Sequence, residues 1–177
     1  MKTVFFDIDS QLDFLYPAGA LYVPRAERIV PAIARLNRFA AAHGIPVVST
    51  VDAHAENDPE FAVWPPHCIA GTWGQRKAEA TLLDTASQII VEKQTVDVFL
   101  SPDLVRVVER LNADAYVVYG VVTEICVLSA VRGLLKTGKP MTLVTDAVEA
   151  LTAEASARAL AEVRAGGGRL ATVSEIC

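Results

Sequence analysis

The stretch Ala115-Tyr116-Val117-Val118-Tyr119-Gly120-Val121-Val122-Thr123-Glu124-Ile125-Cys126 decides how the rest of the chain is read. Its first five residues are apolar without interruption, the composition of a strand buried on both faces. From Val127 to about Lys136 apolar residues recur at helical spacing, and Gly138 closes that run. Cys126 therefore stands where a strand stops and a helix starts. A thiol there lies over the carboxyl end of the strand, and the first N–H groups and positive dipole end of the helix favour the thiolate. Taken alone, a free cysteine reads as a small buried hydrophobe, so partners elsewhere in the chain must decide its role.

Working outward, Thr3 to Ile8, Ile45 to Val51, Ile89 to Val91, Met141 to Val144 and Leu170 to Val173 read as further strands. Helical spacing runs from about Ala26 to Ala42, where Gly44 ends it, and from about Pro102 to Leu111, with Ser101 as N-cap. A third helix, capped by Thr152, runs to about Ala165 before the Gly166-Gly167-Gly168 turn. Strand and helix alternate over the whole length. This predicts an α/β fold, a three-layer doubly wound parallel sheet with right-handed crossovers, and one domain over residues 1–177. The segment from Ala53 to Lys77 has no sustained period, but its aromatics argue for an ordered loop, and long ordered loops are usually functional.

The chain has 177 residues, 52% hydrophobic and 21% charged, with a formal net charge of -5. A folded protein with no general attraction to nucleic acid or anionic membrane is expected. No apolar run approaches the roughly 18 residues of a membrane span, and the N-terminus is strand-like and unlike a secretion signal, so a cytoplasmic location is expected. Cys68, Cys126 and Cys177 are three cysteines at irregular spacing, which argues for reduced thiols.

Asp9, Asp52, His54, Lys93 and Cys126 each stand at or just beyond the end of a predicted strand. In a doubly wound sheet those ends converge on one crevice. There Cys126 could attack a carbonyl, Asp9 could take its proton and pass it to the leaving group, and Lys93 could hold the anionic partners by charge. The turn from Val122 to Cys126 could offer two N–H donors to an oxyanion. Asp52, His54, Glu60 and His67 form a second group of oxygen and nitrogen donors suited to zinc, iron or manganese, or else a hydrogen-bonded loop. His43, beside Gly44, reads as a helix cap. Asp7, close to Asp9, is expected to face the other side of the sheet or to pair locally.

On these residues the chain resembles the isochorismatase-like cysteine hydrolases, and within them the nicotinamidase branch. Asp9-Ser10-Gln11-Leu12-Asp13-Phe14 is similar to the family's first motif, Lys93 to its lysine, and Gly120 to Cys126 to its nucleophile motif. The resemblance implies Asp9, Lys93 and Cys126 as catalytic residues, a cis peptide between Val121 and Val122, and the N–H groups of Val122 and Cys126 as the oxyanion hole. It implies Asp52, His54 and His67 as ligands of a divalent metal, zinc first with iron or manganese as alternatives, and Glu60 as a fourth. Phe14 and Trp64 would sandwich a pyridine ring. The implied activity is metal-dependent hydrolysis of nicotinamide to nicotinate and ammonia through a thioester, a step of NAD salvage, in a homo-oligomer. Val122 is bulkier than the alanine common in the family, and the chain is short. The alternatives are hydrolysis of another small amide or carbamoyl compound, a haloacid-dehalogenase-type phosphatase built on Asp7 and Asp9, and a silent binding module.

Overall fold

The computed structural model describes residues 1–83 and 88–177. Six parallel strands form one sheet in the order β3-β2-β1-β4-β5-β6: β1 Thr3–Ile8, β2 Val47–Asp52, β3 Gln88–Lys93, β4 Ala115–Val121, β5 Met141–Glu149 and β6 Arg169–Ala171. The α-helices are α1 Leu12–Leu15, α2 Val30–Ala42, α3 Pro102–Leu111, α4 Leu128–Leu135, α5 Ala153–Ala165 and α6 Val173–Ile176. Helices cover both faces of the sheet, as the near-continuous apolar strands β1, β2 and β4 require. The strand order reverses between β1 and β4, which opens a crevice at their carboxyl ends. No helix among the described residues is long and apolar enough to cross a membrane.

Register fixes what meets in that crevice. Ile8 is level with Thr50 on one side and Gly120 on the other, and Asp52 is level with Lys93. Gly120 has φ 122°, and a Cβ there would lie 2.0 Å from the Ile8 carbonyl oxygen, so only glycine lets β4 run this close to β1.

The elements differ from the sequence expectation where polar residues or local caps override the apolar pattern. β5 runs to Glu149, through Thr145 and Asp146. Asp146, the residue a phosphatase reading would need for magnesium, accepts the Val173 N–H at 2.7 Å instead. The last strand is Arg169–Ala171, because Thr172 and Glu175 make a capping box that starts α6. Pro31 marks the change from a 3-10 turn at Ala26–Ile29 to α2. Ser101 sits at the N-cap of α3 without a side-chain cap bond, whereas Thr152 accepts the Ala155 N–H at 3.1 Å. His43 follows α2 and its Nδ1 lies 2.8 Å from the Phe39 carbonyl.

Candidate active site

Asp9 follows β1 with φ 50°, and this left-handed turn breaks the strand's alternation. Asp7, two residues earlier, points instead toward α2, where its Oδ2 accepts from Lys77 Nζ at 2.8 Å and Asn37 Nδ2 at 2.9 Å. Asp9 is anchored on β2: its N–H donates to the Thr50 carbonyl at 3.1 Å, and its Oδ1 accepts from Thr50 Oγ1 at 2.6 Å. Asp9 Oδ2 is buried, 2.9 Å from Lys93 Nζ, yet no donor reaches it in hydrogen-bond geometry. It is an acceptor with room for a proton.

Lys93 is fully buried and sits between the other groups. Its ammonium pairs closely with Asp52 Oδ1 and lies 3.8 Å from Cys126 Sγ. Burial alone would lower its pKa, but Asp9, Cys126 and Asp52 together hold it well above the ordinary lysine range, so it stays charged. Burial raises the Asp9 carboxyl, with Lys93 pulling the other way. At Asp52 burial also works upward, but Lys93 and His54 outweigh it and hold the carboxyl below its usual range.

The cysteine does not stand at a regular helix start. Thr123–Val127 form one turn of π-helix ahead of α4, with the Val127 N–H bonded to the Val122 carbonyl at 3.1 Å, and the Val121–Val122 peptide is cis. Burial pushes the Cys126 thiol well above its usual range, and Lys93 is opposed by Asp9 and Asp52. Two carboxylates already face one ammonium, so a third anion is disfavoured until the thiol can hand over its proton.

Donor atoms of Asp52, His54 and His67 lie within 4.8 Å of one another, and all three residues are buried. Asp52 Oδ2 is 3.9 Å from the Nε2 of each histidine. His67 Nδ1 lies 2.7 Å from the Pro65 carbonyl, which turns Nε2 toward the cluster, and neither ring nitrogen of His54 has a hydrogen-bond partner. Orphaned imidazole nitrogens beside a buried carboxylate fit a divalent cation of the nitrogen- and oxygen-binding kind. Glu60, on the 3-10 turn Pro59–Ala62, lines the same pocket but stands outside the close cluster. Burial followed by repulsion from Asp52 raises its carboxyl.

Phe14 and Trp64 both line the pocket, with Leu21, Tyr22, Val23 and Ile125 forming apolar walls and Cys126 within it. The pocket is small, lined mainly by apolar side chains and open to solvent on one side. None of its lining residues is a lysine or arginine.

Several residues around the site carried little sequence signal. Phe61 packs its ring 5.4 Å from His54 and 5.7 Å from His67. Asp58 Oδ2 lies 3.1 Å from His54 Nδ1, outside hydrogen-bond geometry. Gln11 brackets the Asp52 backbone, donating to its carbonyl at 2.8 Å and accepting its N–H at 2.7 Å. Its place in the first motif was the only sequence pointer to it. Cys68 is buried, and burial followed by nearby Asp52 keeps its thiol protonated.

The model of the isochorismatase domain matches residues 3–175. Nicotinamidase of Escherichia coli (strain K12) is 24% identical over 95% of this chain and 93% of its own length. The structure of pyrazinamidase/nicotinamidase from Streptococcus mutans UA159 superposes with a TM-score of 0.90 at 27% identity, over 96% of this chain and 100% of that one. Pyrazinamidase of Pyrococcus horikoshii in complex with zinc does so with a TM-score of 0.89 at 28% identity, over 97% of this chain and 99% of that one. The match along nearly the whole sequence, on a sheet whose strand ends carry Asp9, Lys93 and Cys126, leads to one conclusion: this chain belongs to the isochorismatase family of hydrolases.

Proposed function

We propose that the protein is a metal-dependent cysteine amidohydrolase acting on nicotinamide. The observation that carries this reading is the buried trio in which Lys93 Nζ lies 2.9 Å from Asp9 Oδ2 and 3.8 Å from Cys126 Sγ. The similar nicotinamidase and pyrazinamidases supply the substrate class.

Asp9 accepts the thiol proton as Cys126 Sγ attacks the carboxamide carbon, and Lys93 offsets the negative charge that develops. The N–H groups of Val122 and Cys126 receive the oxyanion. Collapse of the tetrahedral species breaks the C–N bond, and Asp9 returns the proton to the departing ammonia, leaving a thioester. Asp9 then takes a proton from water as that water attacks the thioester carbonyl. The C–S bond breaks, the thiolate regains a proton and the acid leaves. Phe14 and Trp64 hold the ring. Asp52, His54 and His67, with Glu60 as a further donor, would hold a divalent cation, zinc first with iron or manganese as alternatives, and such a cation would supply Lewis-acid binding to a ring nitrogen of the substrate.

The pocket's charge supports an uncharged substrate. A carbamoyl amino acid or isochorismate carries carboxylate, and the described pocket-lining residues include the acids Asp52 and Glu60 but no lysine or arginine to pair with it. Ammonia release from nicotinamide, benzamide and an N-carbamoyl amino acid, measured on zinc-loaded and chelator-treated protein, tests the reading. Nicotinamide should be preferred, and chelation should cost it far more than benzamide. Equal turnover of both amides with and without chelator would leave an amide hydrolase but remove the nicotinamidase assignment.

A further inference from the structure

Asp13 lies in the first motif, on α1, and has no role in the chemistry above. It is 7% exposed, and its two carboxylate oxygens reach in different directions. Oδ2 accepts the Cys68 N–H at 2.7 Å, and Oδ1 accepts the Ala20 N–H at 2.8 Å. Cys68 follows His67, adopts φ 45°, and through its carbonyl accepts the His54 N–H at 3.1 Å. One residue, Cys68, therefore joins the two histidines: its N–H, in the peptide that follows His67, is anchored by Asp13, and its carbonyl, in the next peptide, receives His54. On the other side, Ala20 leads into Leu21, Tyr22 and Val23, the apolar wall of the pocket. That wall is also tied to α1 by the Leu21 N–H to the Asp13 carbonyl at 3.2 Å and the Val23 N–H to the Phe14 carbonyl at 2.9 Å.

The surroundings leave the carboxylate little freedom. A Cβ on Gly19 would lie 2.3 Å from the Asp13 carbonyl oxygen, and one on Gly74 would lie 2.2 Å from the carboxylate. Two N–H donors converge on two oxygens, which an ionised carboxylate satisfies and a carboxamide cannot, since its NH₂ faces one donor with another. A buried N–H left without an acceptor is costly, so the two loops are held or released through the same group.

We infer that Asp13 is a positioning residue that couples the histidine-bearing loop to the pocket wall at residues 20–23, so that cation binding and substrate binding strengthen each other. The inference rests on the metal reading proposed above. Reciprocity then requires that whatever loosens one loop weakens both ligands.

Asp13→Asn, compared with wild type, tests it. Zinc titration of the apo-protein should show affinity reduced about tenfold to a hundredfold, the usual effect of disturbing a group that supports metal ligands. The KM for nicotinamide should rise, with the loss in kcat/KM carried mainly by KM, and amide hydrogen exchange at Ala20 and Cys68 should accelerate together. A folded Asp13→Asn protein with zinc affinity and KM within twofold of wild type would overturn the inference, as would lower thermal stability with no change in either. Should the variant not fold, wild type decides: zinc should slow exchange at Ala20 as well as at Cys68, and slowing at Cys68 alone overturns the coupling. Wild-type protein that binds no zinc would refute the metal reading separately. Exchange in the metal-free variant would then decide whether Asp13 joins the two loops: acceleration at both amides supports it, acceleration at one alone overturns it.

Discussion

Two buried aspartate–lysine pairs start from aspartates two residues apart, Asp7 on β1 and Asp9 just beyond it, and they differ in how their charge is balanced. Asp7 meets Lys77 one to one, among neutral groups: Asn37 donates to Asp7, Tyr119 donates to Asn37 at 2.6 Å, and Lys77 also donates to Ser10. Lys93 meets two carboxylates, Asp9 and Asp52, with a thiol at 3.8 Å and a pocket alongside. The first pair is neutral as a unit. The second carries an excess negative charge inside the protein, which calls for a further cation and keeps the cysteine protonated. Burial and pairing alone therefore do not mark the active pair; the surplus of acid over base does.

Removing the nucleophile gives the largest effect. Cys126→Ala should lower turnover by roughly 10⁴-fold or more, as loss of a covalent nucleophile does, while Cys68→Ala should retain most of it. Electrophile labelling followed by peptide mapping checks the same difference. Activity surviving in Cys126→Ala, with labelling confined to Cys68, would place the chemistry elsewhere.

The paired aspartates come next. Asp9→Asn should cost about 10²–10⁴-fold in kcat while the protein stays folded, the span of general acid–base catalysis. Asp7→Asn should do the reverse, destabilising by about 3–5 kcal/mol because Lys77 is left buried without its counter-charge, with little change in kcat of the folded fraction. Lys93→Ala should also cost orders of magnitude, and with Asp9→Asn it should lose far less than the product of the two single effects. Denaturant melts beside kinetics separate these outcomes. If Asp7→Asn lost turnover as steeply as Asp9→Asn at unchanged stability, the contrast between the pairs would collapse.

Acid should reveal the same asymmetry. Burial raises the Asp9 carboxyl, so the acid limb of kcat/KM should lie above the range of an ordinary aspartate. The sign follows from the role: below that pKa Asp9 is protonated and cannot accept from Cys126, so activity falls as pH falls. A profile flat down to ordinary carboxylate pH would count against Asp9 as the base.

The contrast between the pairs also explains what the sequence could and could not reveal. Asp9, Asp52, Lys93 and Cys126 were legible because each stands at the end of an apolar run, and parallel topology brings such ends together. Lys77 was not, because it closes an aperiodic segment and meets Asp7 across 70 residues of sequence. Asp58 was hidden for the same reason. The turn before α4 reads as helix because π and α turns share nearly the same apolar spacing, so the thiol's true setting needed coordinates. Thr172, inside the last predicted strand, and Glu175, two residues beyond it, did carry a capping-box signal, and the apolar run from Leu170 to Val173 masked it. The sheet and the meeting of those residues thus came from strand ends and the hydrolase family from its resemblance to known motifs, whereas the charge surplus came only from contacts.

The smallest expected effect concerns the ring. Trp64 is half-buried on the pocket wall, while Phe14 is buried with its ring centroid 5.5 Å from that of His67. If the cation is the anchor for the pyridine nitrogen, Trp64 contributes only stacking and burial, which act on any flat ring. Trp64→Ala should therefore weaken nicotinamide and benzamide alike, through loss of stacking worth about 0.5–1.5 kcal/mol beyond area burial. That corresponds to roughly a twofold to twelvefold rise in KM for both, with kcat less affected. His54→Ala should behave differently, copying chelation by weakening nicotinamide and sparing benzamide. The ratio of the two amides' kcat/KM is thus the diagnostic quantity: constant in Trp64→Ala, collapsed in His54→Ala. A ratio that collapses in Trp64→Ala would mean that the indole selects the ring nitrogen, and the excess charge around Asp52 would then lose its role in choosing the substrate.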